Sequence, residues 1–310
     1  MSSNPNLHRR LRLRDLDTFM AVAATGGMRK AAEQLHMSQP AVSKAIADLE
    51  ASLGVRLFDR SSRGVDATVY GRTLVKHGRL LFDGLRQAAG EIEFLSDPSS
   101  GELRFGCSET IAAGLAAEVV ARLTARAPRL IFHVESGEAP VLLLHFLRER
   151  SCELVIARPY AGALEPDLQA TPLFKERMRV VVGPGHRHAN RRKLSLAELA
   201  EDRWILSRNE LMPGSPIVSA FEREGLELPR SRVVSGSLNL RYALLATGRA
   251  VTVVPNSLLH FSPNRSDLRR LPLDLPSWEQ ATSILTLKGR TLSPVAGLFM
   301  DAAQDLARGV

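Results

Sequence analysis

Apolar residues recur at helical spacing over the first fifty positions. Leu16, Phe19 and Ala23 share one face of a segment, Asp15–Ala24, that stops at Gly26-Gly27. A short second helix, Met28–Leu35, carries Ala31 and Ala32, side chains small enough to let another helix cross closely. His36-Met37 makes a turn. Ser38 then stands where its hydroxyl can cap a third helix, Gln39–Glu50, and Pro40 falls in the first turn, where a missing N–H costs nothing. In that helix Val42, Ala45, Ile46 and Leu49 follow i, i+3, i+4, i+7 and predict a core-facing stripe. The opposite face holds Gln39, Pro40, Ser43, Lys44 and Ala47 and is short-chained, polar and almost free of acid. The run Leu53–Phe58 leads through a basic turn to Val65–Thr68, the pattern of strand, turn and strand.

Tyr70–Leu95 reads as one long proline-free helix. Leu74, Leu81, Ala88 and Leu95 lie seven apart, with Gly78, Leu85 and Ile92 at the intervening seam. The stripe predicts either pairing of two such helices or packing on the chain's own domain. Residues 96–101, Ser-Asp-Pro-Ser-Ser-Gly, are turn and breaker types and predict a hinge. Beyond it short β-rich runs alternate with helical segments. The expected strands are Leu103–Cys107, Leu130–Val134, Leu154–Ala157, Arg179–Val182, Trp204–Leu206, Arg232–Val234, Val251–Val254 and Ser283–Leu287. The expected helices are Ile111–Arg126, Val141–Arg150, Pro216–Glu224, Leu238–Thr247 and Pro294–Leu306. This alternation predicts α/β architecture with largely parallel sheets.

The chain has 310 residues, 45% of them hydrophobic and 24% charged, as expected of a globular protein of about two domains. It has no uncharged apolar run long enough to span a membrane and no apolar core behind its arginine-studded start, so it is expected to be cytoplasmic and without a membrane partner. Two cysteines cannot make a disulfide framework or a four-ligand zinc site. The net charge is +8, of which residues 1–76 supply +5. Such asymmetry points the N-terminal quarter toward a polyanion. A helix entering the major groove needs the composition of the Gln39–Ala47 face, because small residues permit approach while Gln and Ser read base edges. Turn and helices together make a helix-turn-helix candidate for double-stranded DNA; a winged helix used for protein contacts is the plainer alternative.

The stretch AAEQLHMSQPAVSKAIADLEASLGVRLFDRSSRGVDAT resembles the N-terminal domain of LysR-type transcriptional regulators. AAxxL, SQPAVS, LE, LGxxLFxR and the terminal Thr68 fall at the family's spacings. Gly27 stands where the family usually has Ser, and Tyr70-Gly71 where it has Ala-Gly. The stretches Met28–Ala32 and Arg63–Val65 are similar to a branch that includes regulators of sugar and aromatic-acid catabolism. The resemblance implies base contacts from Gln39, Pro40 and Ser43. It places Lys30, Ser38 and Lys44 on phosphates, with Arg60 and Arg63 reaching a minor groove from a wing. It also implies a dimerising linker helix, here through Leu74, Leu81, Leu85 and Ile92, a homodimer or homotetramer, and RNA polymerase as a further partner.

The expected architecture is therefore a winged helix-turn-helix at 9–68, essentially all-α, a linker helix at 69–95 and a hinge at 96–101. From Gly101 onwards the order resembles the family's effector domain, which implies two α/β lobes like a periplasmic binding protein, at 102–171 with 273–310 and at 172–272, the chain crossing near Thr171 and returning near Pro272. Ligands in such sheets lie at the carboxyl ends of strands, where helix N-termini offer free N–H groups. Ser108, Glu109, Thr110, Ser136 and Arg158 end strands of the first lobe, and Ser207 and Ser237 of the second. Hydroxyls and amides at two facing helix starts suit a small carboxylate or a sugar-type polyol; as plain helix caps they would bind nothing.

An enzyme would need a nucleophile elbow, a phosphate loop or a dinucleotide fingerprint, and none is present, so no catalytic residue or cofactor is expected. Cys107 could sense redox state, and His186 with His188 could hold a metal, but a buried inert thiol and a solvated loop account for them as well. An architectural DNA-binding protein without a ligand would leave the last two hundred or so residues without a use.

Overall fold

The computed structural model describes residues 11–61, 64–158, 164–229, 232–262 and 266–309. The chain divides into two compact units between Arg86 and Gln87.

In the first unit, α1 (Leu13–Thr25) ends on Gly26, whose φ of +67° is open to glycine without strain. Helix α2 (Met28–Gln34) and a turn through His36 lead to α3 (Gln39–Leu53), which ends on Gly54 at φ +70°. Strands β1 (Phe58–Ser61) and β2 (Gly64–Ala67) form an antiparallel hairpin. Phe19, Val22, Ala31, Val42, Ile46 and Leu57 are sealed in one core, where the rings of Phe19 and Phe58 lie 5.0 Å apart. Helix α4 (Val69–Ser96) follows; at 28 residues it is about 42 Å long.

The second unit opens on β3 (Ser100–Cys107). The three residues between it and α4, within the expected hinge, form a turn pinned by Asp97. Asp97 accepts from Ser99 N–H at 3.0 Å and pairs with Arg129. A short helix α5 (Glu109–Ile111) runs through a π-helical stretch, Ala112–Ala116, into α6 (Ala117–Arg126). The regular helix expected over Ile111–Arg126 is broken because Gly114 leaves helical geometry (φ −120°, ψ −105°) where the backbone of Leu258 comes close. After β4 (Arg129–Ser136), the helix expected over Val141–Arg150 is likewise distorted. Its regular part is α7 (Ala139–Val141), and Leu142–Leu147 is π-helical.

Strands β5 (Leu154–Ala157) and β6 (Leu168–Val182) come next, then β7 (Arg203–Leu206), α8 (Pro216–Arg223), β8 (Arg232–Val234) and α9 (Leu238–Ala246). The chain ends with β9 (Ala250–Pro255), α10 (Asn256–Phe261), β10 (Arg269–Arg270), β11 (Ser277–Leu287) and α11 (Pro294–Ala307). The strand order is β4-β3-β5-β11-β6-β9-β7-β8, with β10 beside β6. Within each half the strands expected to be parallel are so: β3 with β4 and β5, and β7 with β8 and β9. Strand β11 runs antiparallel to β5 and β6, and β6 antiparallel to β9.

Two lobes result. The first packs Phe105, Leu115 and Phe299 on one face of its strands and Leu142, Val155 and Leu285 on the other. The second packs Trp204, Phe221 and Val251 on one face and Ile205, Leu245 and Val254 on the other. Thr171, near which the chain is expected to cross between the lobes, lies inside the continuous 15-residue strand β6.

Candidate nucleic-acid interface and ligand cleft

Ser38 caps α3, its hydroxyl accepting from Ala41 N–H at 3.3 Å, and Pro40 occupies the first turn. Val42, Ile46 and Leu49 are buried to 2% exposure or less. Ala45, expected with them, is only half-buried. Gln39, Pro40, Lys44 and Lys30 are exposed and Ser43 is half-exposed, so the polar face is open to a partner. Glu50, which the sequence showed only as part of a motif, ties this helix to the wing: its carboxylate accepts from Leu57 N–H at 2.7 Å and Phe58 N–H at 3.2 Å. The wing is braced a second time where Val65 N–H donates to Gly26 O at 3.1 Å. Arg63 lies outside the described residues, as does the side chain of Arg60, whose backbone pairs with Val65. Thr68 starts α4, its hydroxyl donating to Arg56 O and accepting from Gly71 N–H. A Cβ on Gly71 would fall 2.1 Å from Leu57 O, which explains why glycine stands there.

The seam expected on α4 splits in two. Leu74 is half-buried and packs with Val75 against the winged-helix core rather than facing outward. Gly78 is buried because α1 crosses there; a Cβ would come within 2.8 Å of Met20 Sδ. From there on the stripe is bare, with Leu81 at 44%, Leu85 at 45% and Ile92 at 66% exposure.

Between the lobes of the second unit lie two adjoining cavities of about 290 and 350 Å³. All seven residues expected at strand ends, Ser108, Glu109, Thr110, Ser136, Arg158, Ser207 and Ser237, line the larger. Ser108 caps α5 through Ile111 N–H at 3.4 Å and touches the Thr110 hydroxyl at 3.1 Å. Ser237 caps α9 through Leu240 N–H at 3.4 Å. Glu109 neither pairs with Arg158 nor stands free: its carboxylate crosses the cleft and accepts from Leu238 N–H, in the first turn of α9, at 2.5 Å.

Three further arrangements at the cleft were not anticipated from the sequence. Arg241, 4% exposed, grips Glu210 with both terminal nitrogens, at 3.0 and 2.8 Å, and also donates to Val253 O at 2.8 Å. A lone arginine in the apolar run Leu238–Ala246 was the readable signal. Asn209 donates to Glu138 across the cleft. Glu176, on β6, accepts from Ser257 N–H at 3.2 Å and from its hydroxyl at 2.5 Å; burial pushes its pKa up, against the pull of Ser257 and Arg158.

Cys107 is fully buried, and burial pushes its thiol pKa up to about 12. A thiol held protonated is a poor redox sensor. His186 and His188 aim their Nε2 atoms at Asp202 from 3.8 and 3.7 Å, and Arg187 pairs with the same carboxylate at 2.9 Å. Burial lowers the pKa of His186, whose Nδ1 accepts from His188 N–H. Among the described residues no helix is long and apolar enough to cross a membrane.

Comparison with known proteins bears on both sites. A family model described as a bacterial regulatory helix-turn-helix protein of the lysR family matches residues 13–72, and one described as a LysR substrate binding domain matches 96–308. The HTH-type transcriptional regulator GbpR of Azospirillum brasilense is 33% identical over 294 residues, 94% of this chain and 85% of that protein. An SDS degradation transcriptional activation protein of a Pseudomonas species is 30% identical over 298 residues, 93% of this chain and 95% of that protein. Among solved structures, a full-length OxyR variant from Pseudomonas aeruginosa matches with a TM-score of 0.63 at 23% identity, over 95% of each chain. These matched domains and relatives are regulators, not enzymes.

Proposed function

Since the chain belongs to the LysR family of helix-turn-helix transcriptional regulators, we propose that α3 lies in a DNA major groove with Gln39, Pro40 and Ser43 on base edges. Lys30, Ser38 and Lys44 hold phosphates beside it. The observation that carries this assignment is the two-sidedness of α3: Val42, Ile46 and Leu49 are sealed in the core while Gln39, Pro40 and Lys44 stand in solvent. Arg60 and Arg63 belong to the wing in the same reading. One recognition helix reads only a few base pairs, so two chains joined along Leu81, Leu85 and Ile92 read a palindrome, as a dimer or as a pair of dimers. The cleft between the lobes takes a small-molecule effector through Ser108, Thr110, Arg158 and Ser237. The ligand acts by its differential affinity for two arrangements of the lobes. The protein works in the cytoplasm, with RNA polymerase as a further partner.

The test is Ser43→Leu. Gel shifts on the promoter DNA that the wild-type protein protects from nuclease should show specific binding lost, with the thermal midpoint of the protein unchanged. Undiminished affinity would remove α3 from the groove.

A further inference from the structure

The reading of the inter-lobe cleft as an effector site leaves open which chemistry it takes, and the charges on its walls decide this. Each carboxylate there already has a counterpart inside the protein. Glu210 is held by the two-pronged grip of Arg241. Glu176 takes the N–H and hydroxyl of Ser257, with Arg158 near enough to favour its charged form. Glu109 accepts from Leu238 N–H at 2.5 Å, at the end of α9 that carries partial positive charge. Glu138 accepts from the amide of Asn209.

The last two bonds run from the first lobe to the second. Glu109 therefore fills the position at the start of α9 that a ligand carboxylate would seek. Among the described residues lining the two cavities there is no lysine, and both arginines are engaged. An anion would enter beside Glu109 and Glu138, in a cleft whose four lining carboxylates outnumber its two engaged arginines. A cation would meet Arg158 and Arg241 instead.

Hydroxyl groups face no such conflict. Ser108, Thr110, Ser136 and Ser237 can each both donate and accept, and a carboxylate with one bond made keeps lone pairs for more. The volumes, about 290 and 350 Å³, stand at the small end of ligand sites. We propose that the cleft binds an uncharged polyhydroxylated ligand of monosaccharide size and rejects carboxylates of the same carbon skeleton. Glu109 and Glu138 bridge the lobes and set that preference.

The experiment uses the full-length protein and matched probes: D-glucose with D-gluconate, D-xylose with D-xylonate, the hexitol sorbitol, and 1,4-diaminobutane as a cation. Thermal shifts and titration calorimetry should show binding of at least one neutral probe. Its aldonate should bind more weakly by on the order of tenfold. Glu109→Gln and Glu138→Gln should each narrow that ratio. An aldonate or the diamine binding more tightly than the neutral probes overturns the proposal and leaves the effector reading standing. A ratio unmoved in both variants overturns the role given to the two carboxylates. No response to neutral, anionic or cationic probes overturns the proposal and the effector reading together.

Discussion

Glu50 carries more of the DNA-binding unit than its place on a polar helix face suggests. Its carboxylate satisfies Leu57 N–H and Phe58 N–H at the point where the chain leaves α3 for the wing. Replacing it with alanine strands both donors next to the core residues Leu57 and Phe58. Glu50→Ala should therefore cost about 1–3 kcal/mol, read as a lowered midpoint for the N-terminal unit in calorimetry; Glu50→Gln, which keeps an acceptor, should cost less. The sequence held part of this level plainly. The stripe Val42, Ile46 and Leu49 and the cap Ser38 were legible because helical spacing and capping are local. Glu50 was not, since its partners are seven and eight residues on and belong to a different element. Arg241 was equally hidden: an isolated charge on an apolar helix announces a partner without saying that the partner is Glu210.

At the scale of elements, α4 serves two purposes along one length. Its first turns complete the winged-helix core through Leu74, Val75 and Gly78, and its later turns present Leu81, Leu85 and Ile92 to solvent. The heptad pattern was readable, but a pattern of spacing cannot say which of its turns meet α1. An unpartnered leucine stripe of this kind favours a second helix. Leu81→Asp combined with Leu85→Asp should shift the protein to monomer in light scattering while the circular dichroism of the N-terminal unit persists; a surviving dimer would place the interface elsewhere. Strand β6 was the element least legible. Its early residues include Pro172 and the charged run Lys175-Glu176-Arg177, which carry little strand signal, and the sequence predicts only Arg179–Val182. Proline is tolerated because the pairing of β6 with β11 shifts register at that place, where Ser283 faces Pro172.

For the whole molecule, the net charge of +8, with +5 in residues 1–76, favours approach to a polyanion, while the phosphates that its cations neutralise set the salt dependence of DNA binding. Lys44→Ala should weaken binding to every duplex alike. It should also flatten the slope of log affinity against log salt by about one unit per protomer, as measured by fluorescence anisotropy across salt. A steeper loss on the specific site than on random DNA would make Lys44 a base reader instead. The cleft was legible as a set of strand ends but not as a charge balance, because its pairs join residues as distant as Glu109 and Leu238. What joins the lobes is also long-range. Strands β6 and β11 pass from one half of the sheet to the other as a hydrogen-bonded pair, with register shifts between Ser277 and Ala281 and again between Thr282 and Ser283. Such irregularities raise local twist. Two strands laced together by hydrogen bonds make a stiffer connection than a single loop, and twisting is the motion that their irregular pairing eases. The pair acts as a torsion bar between the lobes, and a substitution that flattens its coiling at Ser283, which lines neither cavity, should alter the effector dependence of DNA binding in gel shifts while effector affinity stays unchanged.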